Sequence, residues 1–445
     1  MELHDGIIGL FPVAYSESGY GWILGIIATI HMLASHVSVG AALISTWLAT
    51  VAVRDNRPEL FEYIRRYGVF LLVFSYVLGS ITGPGIWFAA TIVSPRPLST
   101  LIHLNVFLWA VEWLFFVIEV IGVYLLVYLP SRVDKRTYLN IAWIFGAASL
   151  ATLLVIVGIL SFMMFPGQES WYSQGGTLRA FFSTYTFAQA FCRICFMLVS
   201  AALAGGLIAV GIEEKQFKIE MTKKLSVLGF VGATLGFIGF KYSLTTLPES
   251  VNHALKLYLP EYFEPSLWAI LILTLGYVLV LRFRIDLLTK PIASVMLVLL
   301  LVLGIYPMER AREIIRKPYV VAQRVYPSGI IGGDISAFDI KSELGVFKNG
   351  ILKQHPFFQH LSKISSKNQF EAGEALFLIT CSSCHGAKDS GPRPLNQLFA
   401  NNKNIEAIES FINGSLATCV MPIMPCMPFN KEEAYALALY IATNK

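Results

Sequence analysis

The sequence predicts an all-α protein: a polytopic bundle of about eight transmembrane helices with its N-terminus outside, followed by a connector and a small all-α C-terminal domain. Three observations predict this. Of 445 residues, 55% are hydrophobic and only 14% charged, with a mean hydropathy of +0.62, well outside the soluble globular range. Apolar runs recur at the length of about 20 residues that crosses a hydrocarbon layer of about 30 Å. Basic residues also alternate between successive loops in the way that membrane topology demands.

The runs fall at about 21–52, 67–93, 104–129, 140–165, 182–211, 225–247, 266–284 and 289–307. The first reads as a span and not as a cleavable signal, because "SESGYGW" precedes it where a basic segment would stand and no A-x-A-like site follows. Loops 53–66, 130–139, 212–224 and 282–290 hold 14 Lys and Arg, whereas 1–20, 94–103, 166–181 and 248–265 hold three. The basic set therefore belongs in the cytoplasm, and eight spans return the chain to the outer face. That topology explains the net charge of +5 without nucleic acid. The natural partner of the surface is membrane lipid, in the cytoplasmic (inner) membrane of a bacterium, with the C-terminal domain in the periplasm. Domain limits follow at 1–307 for the membrane part, 308–367 for a polar, Gly-containing connector ("YPSGIIGGDIS") and 368–445 for the last domain.

The last domain contains "TCSSCHG". Cys381 and Cys384 stand one helical turn apart and can form thioethers to the two haem vinyl groups, which places His385 beneath the iron as proximal ligand. A zinc site would need a second Cys/His pair, and a redox CxxC a βαβ setting; neither follows. The distal ligand should be a thioether, and "CVMPIMPCMPFNKEEAYALALYIATNK" offers Met421, Met424 and Met427. This region and "FEAGEALFLITCSSCHG", with Gly373 and Phe377 in helix-packing places, resemble class I cytochrome c, and the position of Tyr440 favours Met424. Cys419 and Cys426 bracket the methionines. An oxidising compartment permits a disulfide between them, and two free thiols are the alternative.

Polar residues buried in a bilayer are costly, so each intramembrane one is a candidate. Span one carries His31 and His36. Five residues apart on a helix they point about 140° from each other and cannot serve one iron; at least one is a candidate axial ligand. Span three carries Glu112 and Glu119, two turns apart on one face, suited to a weak iron ligand and a proton relay. Arg193 in span five needs a counter-charge, either a haem propionate or Glu112. Arg310, Arg312, Arg316 and Lys317 break the charge rule at the outer face, as propionate partners or as a solvated lead into the connector. His103 and His253 are spare candidates, and Cys192 and Cys195 read as apolar packing residues.

"GSITGPGIW" followed by "LWAVEWLFFVIEV" resembles subunit I of cytochrome bd oxidase, a family with a G-x-x-T-G turn and then a helix bearing two glutamates. The resemblance covers about 1–325. It implies that His31 is the ligand of a high-spin haem b and that Glu112 belongs to the oxygen-reducing haem. It also matches Glu313, Arg316 and Pro318 of "ERAREIIRKPYVV" to the family's E-x-G-R-Q-P-W segment. The chain departs from the family in span five, which has no histidine for the low-spin haem. Glu119 is one residue off the usual spacing, and the quinol-binding loop is cut to "LPESVNHALKLYLPEYFEPS".

The implied protein is a respiratory multi-haem oxidoreductase with covalent haem c and one or more haem b; haem d and a quinone remain open. A second membrane subunit, and periplasmic cytochromes or the quinone pool, are the implied partners. Electrons would pass between the c haem and the membrane haems to a small acceptor such as oxygen, with Glu119 and Glu313 handling protons. The alternative is a quinol–cytochrome c electron-transfer subunit that sends electrons outward without oxygen chemistry.

Overall fold

The structure, a computed structural model, describes residues 17–19, 21–167, 171, 178–321, 323–330, 350–355, 357–387, 391–401, 403–418, 420–427 and 429–444. Among them eight helices are long and apolar enough to cross a membrane. They are α1 Gly21–Arg54, α2 Pro58–Val93, α4 Val106–Tyr128, α5 Lys135–Met164, α6 Thr184–Ala209, α7 Lys215–Thr245, α9 Phe263–Phe283 and α10 Lys290–Arg316. Two shorter helices, α3 Pro95–Leu104 and α8 Glu249–Tyr258, lie at the same end of the bundle. The C-terminal domain is built on α11 Gln369–Thr380, α12 Ile405–Phe411 and α13 Lys431–Thr443.

The bundle closes on its smallest residues. A Cβ on Gly40 would lie 2.0 Å from the Met197 carbonyl oxygen, and one on Gly232 2.7 Å from that of Cys195, so α1 and α7 both press their backbones against α6. Around these crossings Val37, Ala41, Ile44, Leu48, Tyr63 and Tyr67 form the main core. Buried hydroxyls find carbonyls on other helices: Tyr63 donates to Gly205 O at 2.8 Å, Tyr67 to Ala201 O at 2.6 Å and Thr46 to Ala142 O at 2.7 Å. In hydrocarbon each such bond replaces an unsatisfied polar group. Outward-facing positions such as Phe88, Phe107, Val73 and Trp113 are exposed apolar side chains suited to lipid.

Two expectations change. "GSITGPGIW" is not a turn: α2 runs through it to Val93 with Pro84 inside the helix, after one wide π-type turn at Leu72–Val77. The last span does not stop at 307 but continues to Arg316, with a second π turn at Leu300–Ile305. Charged residues 309–316 thus belong to a helix packed on the bundle. The solvated alternative fails because Ala311, Ile314 and Ile315 bury one face of this turn.

The connector also packs. Tyr326, Ile330, Ile351, Leu352 and Leu361 join the core of the C-terminal domain with Leu376, Phe377, Leu437 and Tyr440. Gly373 admits the Ala436 carbonyl where α11 crosses α13, since a Cβ there would sit 2.1 Å from that oxygen. His355 is buried in the same unit, and burial pulls its pKa down to about 4. The neutral ring is the folded form, so stability from this site is complete above the unfolded value near 6.5 and is lost as pH falls from there to 4. The loss expected is about 3 kcal/mol. Thermal melts of the full chain read at the c-haem band should fall over that window, and a His355→Phe variant should lose that part of the pH dependence.

Candidate functional site

Every candidate residue lies within a few turns of one end of the bundle, the end that carries the C-terminal domain. His31 stands about 15 Å along α1 from Gly21, at 1.5 Å per residue. Gly21 itself abuts the haem-attachment loop, for a Cβ there would lie 2.4 Å from Ser383 O. Three more contacts fix the loop: Ala387 N donates to Glu17 O at 2.6 Å, and added Cβ atoms on Gly19 and Gly391 would lie 2.9 Å from His385 O and 1.6 Å from Ser18 O. Gly19 and Gly391 take φ of +69° and +88°, a region open to glycine at little cost. Residues 17–19 and 21 are thus a strap that ties "CSSCHG" to the head of α1. The connector adds a second tie, through Ser94 Oγ donating to Pro327 O at 2.9 Å and Arg96 to Gly329 O at 3.2 Å.

The three histidines share one arrangement. His385 Nδ1 donates to Arg393 O at 2.9 Å, and His36 Nδ1 donates to Met32 O at 2.6 Å. His31 Nδ1 pairs with Thr82 Oγ1 at 2.9 Å, and because Thr82 gives its own proton to Leu78 O at 2.7 Å, the ring is the donor there too. Each pairing leaves the Nε2 lone pair for a metal, the tautomer that a second hydrogen bond fixes in haem and metal ligands. Burial also holds His385 below the ordinary histidine range, which favours the neutral, ligating ring. Cys381 and Cys384 are both free thiols. These residues fit a covalently held haem and at least one further haem in the bundle.

Among the methionines, Met427 is buried in the domain core, whereas Met424 is half-buried at its margin. Cys426 is disulfide-bonded; Cys419, the partner read from the sequence, lies outside the described residues. Glu119 is buried, with Tyr76 donating to its Oε2 at 3.4 Å and its Oε1 without a partner. Ser149 and Thr152 face the same carboxyl. Glu112 is half-buried two turns nearer the C-terminal domain. Close by on α4, Trp109 stacks edge-on with Trp87 of α2 at 4.9 Å, its Nε1 unpartnered.

The second centre was legible only in part. Arg193, 8% exposed, pairs with Glu309 at 3.7 Å, and Glu309 also takes Arg312 Nε at 2.7 Å. Glu309 is therefore the counter-charge of Arg193, in place of Glu112. His36 lies within electrostatic reach of both Arg193 and Glu309. These four side chains, with Tyr185 and Gln189, form the charged end of a cavity between α6, α7, α9 and α10. Its other walls are apolar: Phe196, Phe237, Phe240, Leu267, Leu271 and Ile305. The cavity has about 1100 Å³ of atom-free space up to its open mouth. Arg193 Nε is buried without a partner, which suits a carboxylate of a bound group. Glu313 is occupied differently, in an ion pair with Arg316, which also donates to Tyr319 O at 2.6 Å.

His103 and His253 are exposed. Cys192 is buried, with its sulfur against Gly236 O at 3.6 Å, as a packing residue would be. Sequence reasoning missed Glu309, Tyr185 and Gln189; the available signal was the i, i+3, i+4 spacing of Glu309, Arg312 and Glu313 behind an unbroken apolar run.

Residues 368–441 match the family model described as "Cytochrome C oxidase, cbb3-type, subunit III", so the C-terminal unit is a cytochrome c domain. The chain is also similar to a solved structure of bd oxidase from Geobacillus thermodenitrificans. That likeness has 16% identity and a TM-score of 0.55, and it covers 69% of this chain and 88% of that one. It establishes the fold of the membrane part. No curated protein sequence matches the chain.

Proposed function

We propose that the chain is a respiratory haem oxidoreductase that passes electrons between its c-type haem and haem held in the membrane bundle, ending on a small acceptor such as oxygen. One observation carries this reading: the strap and Gly21 seat the c-haem loop on the head of the helix that bears His31 and His36. That geometry has no use in a mere anchor for a cytochrome.

Haem iron, when bound, supplies the one-electron chemistry. His385 and Met424 would hold it in the C-terminal domain, with Cys381 and Cys384 as thioether anchors. In the bundle, Thr82 orients His31 so that Nε2 is free, and Glu112, near the same end, would take up or release a proton at its carboxyl. Tyr76 and Glu119 extend the polar path inward, the hydroxyl donating to Oε2. Arg193 and Arg312 would take carboxylates in the cavity between α6, α7, α9 and α10, with His36 beside them as a ligand. Glu313 and Arg316 fix the last turn of α10 beneath the c domain.

The basic-loop count supports the bacterial inner membrane with this end in the periplasm. A second membrane subunit and soluble periplasmic cytochromes are the partners we propose.

A second reading, quinol oxidation with electrons leaving through the c haem, is favoured by the apolar walls and charged end of the cavity, which suit a quinone ring and tail as well as a porphyrin. The purified protein separates the two. Reduced-minus-oxidised and CO-difference spectra should show a CO-binding haem, with oxygen uptake driven by quinol or reduced cytochrome c. Glu112→Ala should lower that uptake by about a hundredfold or more. No CO response and no oxygen uptake in the wild type would leave only the quinol reading.

A further inference from the structure

The junction between the two domains holds more positive charge than its own acids can balance. Lys317 follows the last turn of α10, and its ammonium lies within electrostatic reach of Cys384, Glu313, Arg316 and Arg393. Arg393 comes from the other domain and faces Arg310, Cys384, Glu313 and Tyr262. Arg310 reaches the Tyr262 hydroxyl, yet its Nε is sealed from solvent with no partner. The one carboxylate in the group, Glu313, is already committed to Arg316 through both oxygens. The next, Glu309, is committed to Arg312 and Arg193. Arg310, Lys317 and Arg393 are therefore three cations gathered from two domains around one carboxylate, Glu313, that already holds a fourth cation, Arg316. Like charges crowded into a partly desolvated junction repel unless an anion joins them.

Their position indicates which anion. Arg393 is tied to the haem-ligand histidine by its own carbonyl, which accepts from His385 Nδ1 at 2.9 Å. Lys317 and Arg393 both face Cys384, a thioether anchor. A porphyrin hung from Cys381 and Cys384 would sit at this junction with its thioether edge at Cys384 and its propionates on the far edge; a haem at the head of the bundle would be its other neighbour, and the charged groups of both are carboxylates.

We propose that Arg310, Lys317 and Arg393 form a carboxylate site between the domains that binds a haem propionate and, by its charge, raises the reduction potential of the haem it holds. The propionate belongs either to the c haem or to a haem at the same end of the bundle; the chemistry is shared. The proposal rests on the haem content of the proposed function, not on its acceptor or direction. Arginine and lysine on a propionate favour the reduced haem, because reduction removes one positive charge from the iron.

The test is a spectroelectrochemical titration of the full holoprotein in detergent, reading the c and b bands separately. In Lys317→Met/Arg393→Met, one midpoint should fall by an amount on the order of tenfold in the electron equilibrium, 59 mV for one electron. Lys317→Arg should keep the wild-type value. A fall confined to the c band assigns the propionate to the c haem, and one confined to the b band assigns it to a membrane haem. The proposal is overturned if both midpoints stay put while covalent haem staining shows the c haem in place, or if Lys317→Arg shifts the potential as much as methionine does. Should the double variant fail to take up haem, Arg310→Met alone is read the same way. A wild type without a b band would instead sink the proposed function, a result distinct from unmoved midpoints.

Discussion

Glu309→Gln is expected to be the most damaging single substitution in the membrane bundle. The amide keeps the shape of the side chain but removes the charge that neutralises Arg193 and Arg312 on either side of it. Removing one partner from a buried ion pair costs about 3–5 kcal/mol, because the remaining charge stays desolvated. The midpoint of thermal unfolding in detergent should drop accordingly. Arg193→Leu combined with Glu309→Leu should be milder than Glu309→Gln alone, since Arg312 retains Glu313 within electrostatic reach. If the double variant is as unstable as the sum of its parts, Arg193 and Glu309 do not work as a pair, and the cavity loses its charged end as an argument.

The second large effect is kinetic. Gly391→Val should leave the c-haem spectrum intact and slow electron exchange between that haem and the bundle by about tenfold or more. A Cβ at 391 would meet Ser18 O at 1.6 Å, and the φ of +88° is strained for any β-branched residue. Both effects expel the strap, so the domain loses its tie to α1 while its own helices stay folded. Gly25→Val is the control, because nothing lies within 4 Å of an added Cβ there. Stopped-flow reduction of the c haem followed by the b-band change measures the step. Equal rates in the two variants would show that the strap does not set the distance between haems.

Much of this architecture was legible because the bilayer imposes a coarse code. Eight apolar runs gave eight helices, and the rarity of ionisable groups inside them made His31, Glu112, Glu119 and Arg193 conspicuous. Helix ends were less legible where the code changes. At "ERAREIIRK" charge density reads as solvent, yet α10 continues, because its apolar side packs on the bundle while its charges pair with Arg193 or with each other. The G-x-x-T-G resemblance implied a turn where the structure has a helix: Thr82 holds His31 from inside α2. "SESGYG" gave no sign of its role, since a strap is defined by contacts with residues nearly the whole chain away. No local pattern records such pairings.

That strap also sets an order of events during biogenesis. Gly19 and Gly21 rest on carbonyls of Ser382, Ser383 and His385, and Glu17 and Ser18 turn their own carbonyls to Ala387 and Gly391, so the strap has nothing to close upon until the c domain has been made. Porphyrin attachment at Cys381 and Cys384 requires that same loop to be open to the attaching machinery. Residues 17–19 and 21 can therefore settle only after residues 382–391 have been translated. A chain arrested before residue 382 would carry this segment free ahead of α1, open to a protease that spares the finished protein.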